Sequence, residues 1–386
     1  MIGSKIRVMQ AIRQGKVGGG ETHMFELVSR MDKSVFSPEV LSFTPGPMVD
    51  QISKMGIPVH IIETERGFDW KIWGRVKKLL INQKIDIVHA HGTRANTNVF
   101  WAARNLKLPL VYTIHGWSFH QDQSKLVKNI RMLSEWFLTS QTTSNICVSF
   151  SNQQDGVKKF NMKNSTVIFN GISTEKFDPT GKYADIRKEL NIPEEKTLIG
   201  YIVRITMQKD PMTLIEAMKM VMEVTKDVFL LVVGEGDLKE KIVQMTRDYG
   251  LSSHVVFENF RQDVPDILHA TDIYCLPSLW EGLPIGILEA MSMGKVIIAT
   301  PIDGTKEIII DNENGLFVPQ QNPRLLADAI IKVHKNKQLQ KKLSENAIKT
   351  IVEKFTISEM VEKIENHYKL IIKCNENWNR STTNIP

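Results

Sequence analysis

Glu281-Gly282-Leu283-Pro284-Ile285-Gly286-Ile287-Leu288-Glu289 sets two carboxylates eight residues apart across the expected start of a helix. Pro284 has no backbone donor and a preset φ, so it suits the first helical position, and onset is expected between Gly282 and Pro284. The free N–H groups of that first turn and the positive end of the helix dipole can bind a diphosphate, with Gly282, Leu283, Pro284 and Ile285 lining it. Two carboxylates would repel the diphosphate itself. They are therefore assigned to neutral hydroxyls, one set on a sugar and one on a ribose, which together describe a nucleotide sugar. A loop charge and an exposed helix residue are the competing reading of the same stretch.

The rest of the chain alternates short β-branched runs with helical stretches, the pattern of doubly wound α/β domains. Strands are expected over 6–11, 39–43, 59–62, 85–90, 110–114, 145–148 and 166–169, then over 198–203, 229–233, 254–257, 273–276, 296–299 and 315–318. At 386 residues the chain exceeds what one core supports, so two domains are expected. Turn formers Gly171, Pro179 and Gly181 cluster between the two series. The boundary is accordingly placed at 178, giving domains 1–178 and 179–355. A helix over 357–372 should close the fold, and the polar tail 375–386 is expected to be disordered.

The motif order resembles that of retaining glycosyltransferases of family 4. Val17-Gly18-Gly19-Gly20-Glu21-Thr22-His23 is similar to the family's glycine loop, Thr113-Ile114-His115-Gly116 to its strand-end histidine, and Arg204 through Lys209 to its Arg and Lys pair. Glu281 and Glu289 match its Glu-x7-Glu motif, with Ile168–Ile172 and Asn314–Val318 in the expected order. The resemblance implies a GT-B fold of two facing Rossmann-like domains, with the segment 356–374 crossing back to the first. It implies a metal-independent enzyme without a cofactor, moving a sugar with retention from a nucleotide diphosphate, UDP being the commonest, to a hydroxyl acceptor held by the N-terminal domain. Cell-envelope polysaccharide or glycolipid synthesis is the expected setting.

By the same resemblance, Gly18 and Gly19 line the diphosphate, His115 orients the donor sugar, Glu281 binds sugar hydroxyls and Glu289 the ribose. Asn259, Phe260 and Arg261 match a loop that contacts the base, and the turn at Asp303, Gly304 and Glu307 lies beside the donor. Arg204 and Lys209 follow the strand over 198–203 and would stabilise the leaving diphosphate in place of a metal. The chain has no Asp-x-Asp motif and no metal-ligand spacing. Val203 and Asp210 stand where the family often has glycine, which puts the loop's shape in question. His89 and His91 are read as residues at the cleft edge. A sugar-nucleotide epimerase or a non-catalytic nucleotide-sugar-binding protein of the same fold are the alternatives.

Three widely spaced cysteines argue against a disulfide framework or zinc cluster, and a cytoplasmic setting fits. No apolar segment of signal length follows Lys5 and Arg7, and no apolar run approaches bilayer length. Residues 1–178 carry 23 Lys and Arg against 14 Asp and Glu, whereas 179–386 carry 26 against 29. The basic half suggests an anionic partner such as the inner face of the plasma membrane, and no nucleic-acid motif is present. On the helix over 124–138, Leu126, Ile130, Leu133 and Phe137 share a stripe beside Lys125, Lys128 and Arg131. Peripheral docking on lipid and an ordinary domain helix with a solvated charged face both fit that pattern.

Overall fold

The computed structural model describes residues 5–15, 18–119 and 123–383, with side chains as far as residue 375. Two compact units emerge, Met1–Gly171 with Ile357–Pro386, and Ile172–Thr356.

In the first unit β1 (Ile6–Ile12), β2 (Phe36–Ser42), β3 (Val59–Ile61), β4 (Ile87–His91), β5 (Leu110–Ile114), β6 (Ser144–Cys147) and β7 (Ser165–Val167) form one parallel sheet. Helices α1 (Gly19–Arg30), α2 (Pro47–Lys54), α3 (Trp73–Asn82), α4 (Thr93–Asn105), α5 (Lys125–Ser140) and α6 (Phe150–Phe160) connect the strands. Strand order is β3-β2-β1-β4-β5-β6-β7, so it reverses between β1 and β4. Every residue of β4 and β5 is buried, as expected of strands covered on both faces. The last helix, α15 (Ile357–Thr383), belongs to this unit and packs Met360, Ile364 and Tyr368 into a core with Val8, Leu27, Ile87 and Val111.

The second unit repeats the plan. Its sheet orders β10 (Val255–Glu258), β9 (Val228–Val233), β8 (Thr197–Ile202), β11 (Ile273–Leu276), β12 (Val296–Ala299) and β13 (Leu316–Phe317), all parallel. Connecting helices are α7 (Ile186–Glu189), α8 (Pro211–Val224), α9 (Lys239–Asp248), α10 (Val264–Ala270), α11 (Ile285–Ser292), α12 (Asp303–Lys306), α13 (Pro323–Lys335) and α14 (Lys337–Lys354). Here the order reverses between β8 and β11. In open α/β sheets, ligands bind beyond the carboxyl ends of the strands at such reversals.

Two details differ from the sequence reading, and a third bears on a choice it left open. The units divide after Gly171 rather than near 178, because Ile172 N bonds Phe355 O at 2.8 Å and Ser292 Oγ bonds Phe177 O at 2.7 Å, tying 172–177 to the second unit. Helical backbone continues to Thr383, through most of the tail expected to be disordered; residues 384–386 lie outside the described range. The third concerns α5, where Glu135, Leu138 and Thr139 are the buried residues. Its apolar stripe points to solvent, with Leu126 71%, Ile130 59% and Leu133 62% exposed, and Val127, Trp136 and Phe137 are exposed too. No helix among the described residues is long and apolar enough to cross a membrane.

Candidate functional site

In the second unit, β8 and β11 end on the two loops that carry most of the expected site. After β8 come Arg204 and the short 3-10 turn Met207–Lys209, and after β11 comes Ser278–Gly282. Leu279 N bonds Gln208 O at 2.8 Å, and Gln208 Nε2 donates to Trp280 O at 2.8 Å, so the loops are hydrogen-bonded across the strand reversal. Asp210 adopts a left-handed conformation (φ 46°) and its carboxylate caps α8 through Thr213. Asp is among the few non-glycine residues that tolerate this region, so the bend associated with glycine is kept. Val203 stays outside that region; instead Gly234 and Gly236 give way, since a Cβ on either would collide with the carbonyl of Val203 or Ile205.

Lys209 Nζ forms an ion pair with Glu281 Oε1, which also accepts from Ser278 Oγ at 2.8 Å. Gln208 Nε2 reaches Glu281 Oε2 at 3.3 Å. The Glu281 side chain is 8% exposed, and it has the ion pair and hydrogen bonds that a buried carboxylate requires. A carboxylate offers about four lone-pair sites, so Oε2 keeps acceptor capacity for a ligand hydroxyl. Arg204 is exposed, and no carboxylate among the described residues pairs with it. Of the two expected cations, Lys209 is thus partly neutralised while Arg204 presents its full charge.

α11 begins at Ile285, with Pro284 as its extended N-cap (φ −72°, ψ 107°), one position earlier in the helix pattern than the sequence reading placed it. An extended ψ at Pro284 delays the helical run by one residue, and its carbonyl accepts from Ile287 N at 3.1 Å. The N–H groups of Ile285 and Gly286, ahead of that bond, still lack intrahelical partners. Gly286 passes over the buried Tyr274 hydroxyl, where any Cβ would clash, and Tyr274 Oη donates to Ile202 O at 3.2 Å. The Tyr274 pKa is raised, first by burial and then by the charges of Glu289 and Glu281, which marks both carboxylates as its neighbours. Gly304 approaches the Gly282 carbonyl so closely that no side chain fits, and Leu283 is buried beneath this turn.

The loop after β10 divides its roles. Arg261 is held by Asp263 (3.0 Å from Nε) and Glu189 (2.5 Å from Nη1), which raise its pKa, and Asn259 Oδ1 accepts from Lys239 Nζ at 2.6 Å. Phe260 is 52% exposed and offers an aromatic face.

In the first unit the carboxyl ends of β1, β4 and β5 enclose four histidines. His23 from α1 lies edge-on to His115, with ring centroids 4.9 Å apart, and His91 stacks on His115 at 5.6 Å. His89 and His91 are buried in the sheet rather than at a cleft edge, because strand burial extends to the end of β4. Their hydrogen bonds form a chain with a direction. Gln10 Nε2 donates to Tyr368 Oη (2.9 Å), whose hydroxyl proton goes to His89 Nδ1 (2.5 Å), and His89 Nε2 donates to Thr113 Oγ1 (2.7 Å). Gln10 Oε1 accepts from His91 Nε2 (2.8 Å), leaving His91 Nδ1 to accept from His115 Nε2 (3.4 Å). With Nε2 of His115 carrying the proton, its Nδ1 is the acceptor. His23 Nδ1 meets Asn170 Oδ1 at 2.9 Å, and its buried Nε2 has no partner among the described residues.

Gly18 is the N-cap of α1 and Gly19 its first residue. Gly20 faces the His115 ring, which brings the glycine loop and the strand-end histidine together. Glu21 folds its carboxylate back to within 2.5 Å of where a Gly18 Cβ would stand, and burial raises its pKa. An anion arriving at this helix end has to displace that carboxylate. Among the described residues, no group of three or more His, Cys, Asp or Glu could hold a metal ion.

Two family models cover most of the chain: Glycosyltransferase Family 4 matches residues 17–176 and Glycosyl transferases group 1 matches 182–350. The chain belongs to glycosyltransferase family 4. Similar proteins include the Escherichia coli UDP-Gal:alpha-D-GlcNAc-diphosphoundecaprenol alpha-1,3-galactosyltransferase, 27% identical over 95% of this chain and 97% of that one. The Bacillus subtilis putative glycosyltransferase EpsD is 26% identical over 84% and 86%. Among solved structures, Anabaena HepE, determined with UDP and glucose, superposes with a TM-score of 0.83 at 20% identity over 94% of this chain and 99% of that one. This family-4 enzyme therefore has the GT-B fold.

Ser278, Gln208 and Tyr274 are parts of the site that sequence reasoning missed, as are Gln10, His23 and Tyr368. A serine closing the run after β11, and a histidine two residues beyond Glu21, were the available signals. Tyr368 gave none, since it reads as one more apolar position of a helix.

The histidines make the glycosyltransferase acid-sensitive in a definite window. Burial lowers His23 to about 4 and His89, His91 and His115 well below the ordinary value of 6.5. Below pH 6.5 the unfolded chain binds protons the folded one refuses, so stability is complete above 6.5 and falls as pH drops toward 4. Each histidine takes away about 1.4 kcal/mol per pH unit within that window. Urea midpoints should fall steadily from pH 7 to 5, less steeply in His23→Gln; equal slopes in both proteins would contradict the assignment.

Proposed function

We propose that this enzyme transfers a hexosyl group from a UDP-sugar to a hydroxyl of a glycan or lipid-linked acceptor in cell-envelope synthesis, retaining anomeric configuration and requiring no metal. The observation that carries the reading is the convergence, at the β8–β11 reversal, of Glu281, Glu289, the α11 N-terminus and the unpaired Arg204. UDP in the HepE structure, and the UDP-sugar and diphosphate-lipid acceptor in the name of the galactosyltransferase, support it.

In this reading the diphosphate lies on the first turn of α11, with Arg204 and the remaining Nζ protons of Lys209 neutralising charge as the bond from the anomeric carbon to phosphate breaks. The acceptor oxygen bonds to that carbon on the same face, and its proton passes to the departing phosphate oxygen. No protein base is then required, which agrees with Glu281 being committed to Lys209, Ser278 and Gln208. Glu281 receives sugar hydroxyls on Oε2, Glu289 the ribose, and Phe260 and Asn259 lie where a base would stack. His115, as a neutral ring with Nδ1 as acceptor, is the first unit's candidate for receiving a ligand hydroxyl.

Calorimetry with UDP tests the assignment. Glu289→Ala should weaken UDP by about 1 to 3 kcal/mol, the range of a lost hydrogen bond to a charged group, with EDTA present throughout. Unchanged affinity in the variant, or a wild type that binds UDP only after magnesium or manganese is added, would refute it.

Peripheral docking on an anionic bilayer completes the reading. Leu126, Ile130, Leu133 and Trp136 on α5 are exposed large apolar side chains interleaved with Lys125, Lys128 and Arg131, the chemistry of an in-plane membrane helix. Liposome binding should rise with anionic lipid content and fall with salt. Leu126→Ser with Leu133→Ser should lower the bound fraction at least fivefold, and binding equal to wild type would reject α5 as the contact.

A further inference from the structure

A cavity of about 890 Å3 lies in the first unit beyond the ends of β1 to β3, lined among others by Arg13, Arg66, Arg94, Glu63, Glu65 and Asn98. It is built, not incidental. Asn98 is 1% exposed and its Nδ2 donates to both Arg66 O (3.3 Å) and Arg94 O (3.0 Å), while its Oδ1 accepts from Asp69 N (3.0 Å). Thr97 Oγ1 bonds Gly67 O and, at 3.0 Å, Arg94 O. Two buried polar side chains of α4 thus fasten the loop carrying Arg66 to the helix turn carrying Arg94.

The guanidinium groups themselves are left uncommitted. Among the described residues neither Arg66 nor Arg94 has a carboxylate within ion-pair distance, although Glu63 and Glu65 line the same cavity. Asp69, the nearest buried carboxylate in sequence, is taken by Thr64 Oγ1 (2.8 Å) and Lys71 N (3.1 Å). Unneutralised arginines gathered in a concave basin raise the local positive potential, and each presents a planar fork suited to two phosphate oxygens. A neutral sugar would leave those forks unmatched. Glu63 and Glu65 are acceptors fit for sugar hydroxyls, and the volume takes a sugar together with a diphosphate.

We propose that this basin is the head-group site for an acceptor sugar carried on a lipid diphosphate, with Arg66 and Arg94 gripping the diphosphate. The inference rests on the glycosyltransferase reading above and names the acceptor chemistry for it. Arg13 lines the same wall and adds positive charge.

The test measures inorganic pyrophosphate binding by calorimetry on the full chain with the nucleotide site saturated by UDP, in wild type and in the double variant Arg66→Ala, Arg94→Ala. Pyrophosphate affinity should fall at least tenfold while UDP affinity stays within twofold. In transfer assays, KM for an alkyl sugar 1-diphosphate should rise at least tenfold, whereas KM for the alkyl glycoside of the same sugar should not change. Pyrophosphate affinity that survives the double substitution, or UDP affinity that falls with it, would overturn the proposal. So would an equal rise in KM for both acceptors. A wild type that binds no UDP would instead strike at the glycosyltransferase reading, so the two failures are distinguishable.

Discussion

The second unit depends on backbones that approach too closely for side chains. Gly304 lies against the Gly282 carbonyl and Gly286 over the Tyr274 hydroxyl, and any Cβ at either would displace the start of α11. With that start fixed, the loop from Ser278 to Gly282 can place the Glu281 carboxylate against Lys209, and Gln208 can bridge to Trp280. The ion pair is thus a consequence of steric fit at the strand reversal. Its low exposure makes it costly to break on one side only, since an unpaired buried charge typically costs about 3 to 5 kcal/mol.

Much of this was legible in the sequence because the fold writes itself in periodicity. Every strand expected from β-branched runs is present, with ends shifted by a few residues; Arg204 and Lys209 follow β8 and Glu281 precedes α11, as expected. The misreadings have physical causes. Pro284 suits both N1 and N-cap, and only its ψ decides between them. The α5 stripe was left open between lipid docking and an ordinary domain helix, because periodicity cannot say which side of an amphipathic helix meets the protein. His89 and His91 were read as cleft-edge groups because long-range hydrogen bonds from Gln10 and Tyr368, one of them 358 residues apart in the chain, leave no local trace.

That hydrogen-bond chain gives the closing helix a chemical role as well as a packing one. Tyr368 buries its ring in the core beside Phe36 and hands its hydroxyl proton to His89, and Gln10 transmits the orientation to His91 and so to His115. The protonation pattern of the His115 ring is therefore set from the far end of the sequence. Four neutral imidazoles in one buried cluster are tolerated because each keeps a hydrogen bond, although among the described residues His23 Nε2 is buried without one.

The central claim is that the nucleotide is held at the β8–β11 reversal of the second unit. Amide hydrogen exchange with and without UDP tests it most directly, because it reports location without presuming a substrate. The account predicts slowed exchange confined to 203–210, 259–261 and 278–289. Protection absent from those segments, or found instead around 63–69 and 92–98 of the first unit, would contradict it.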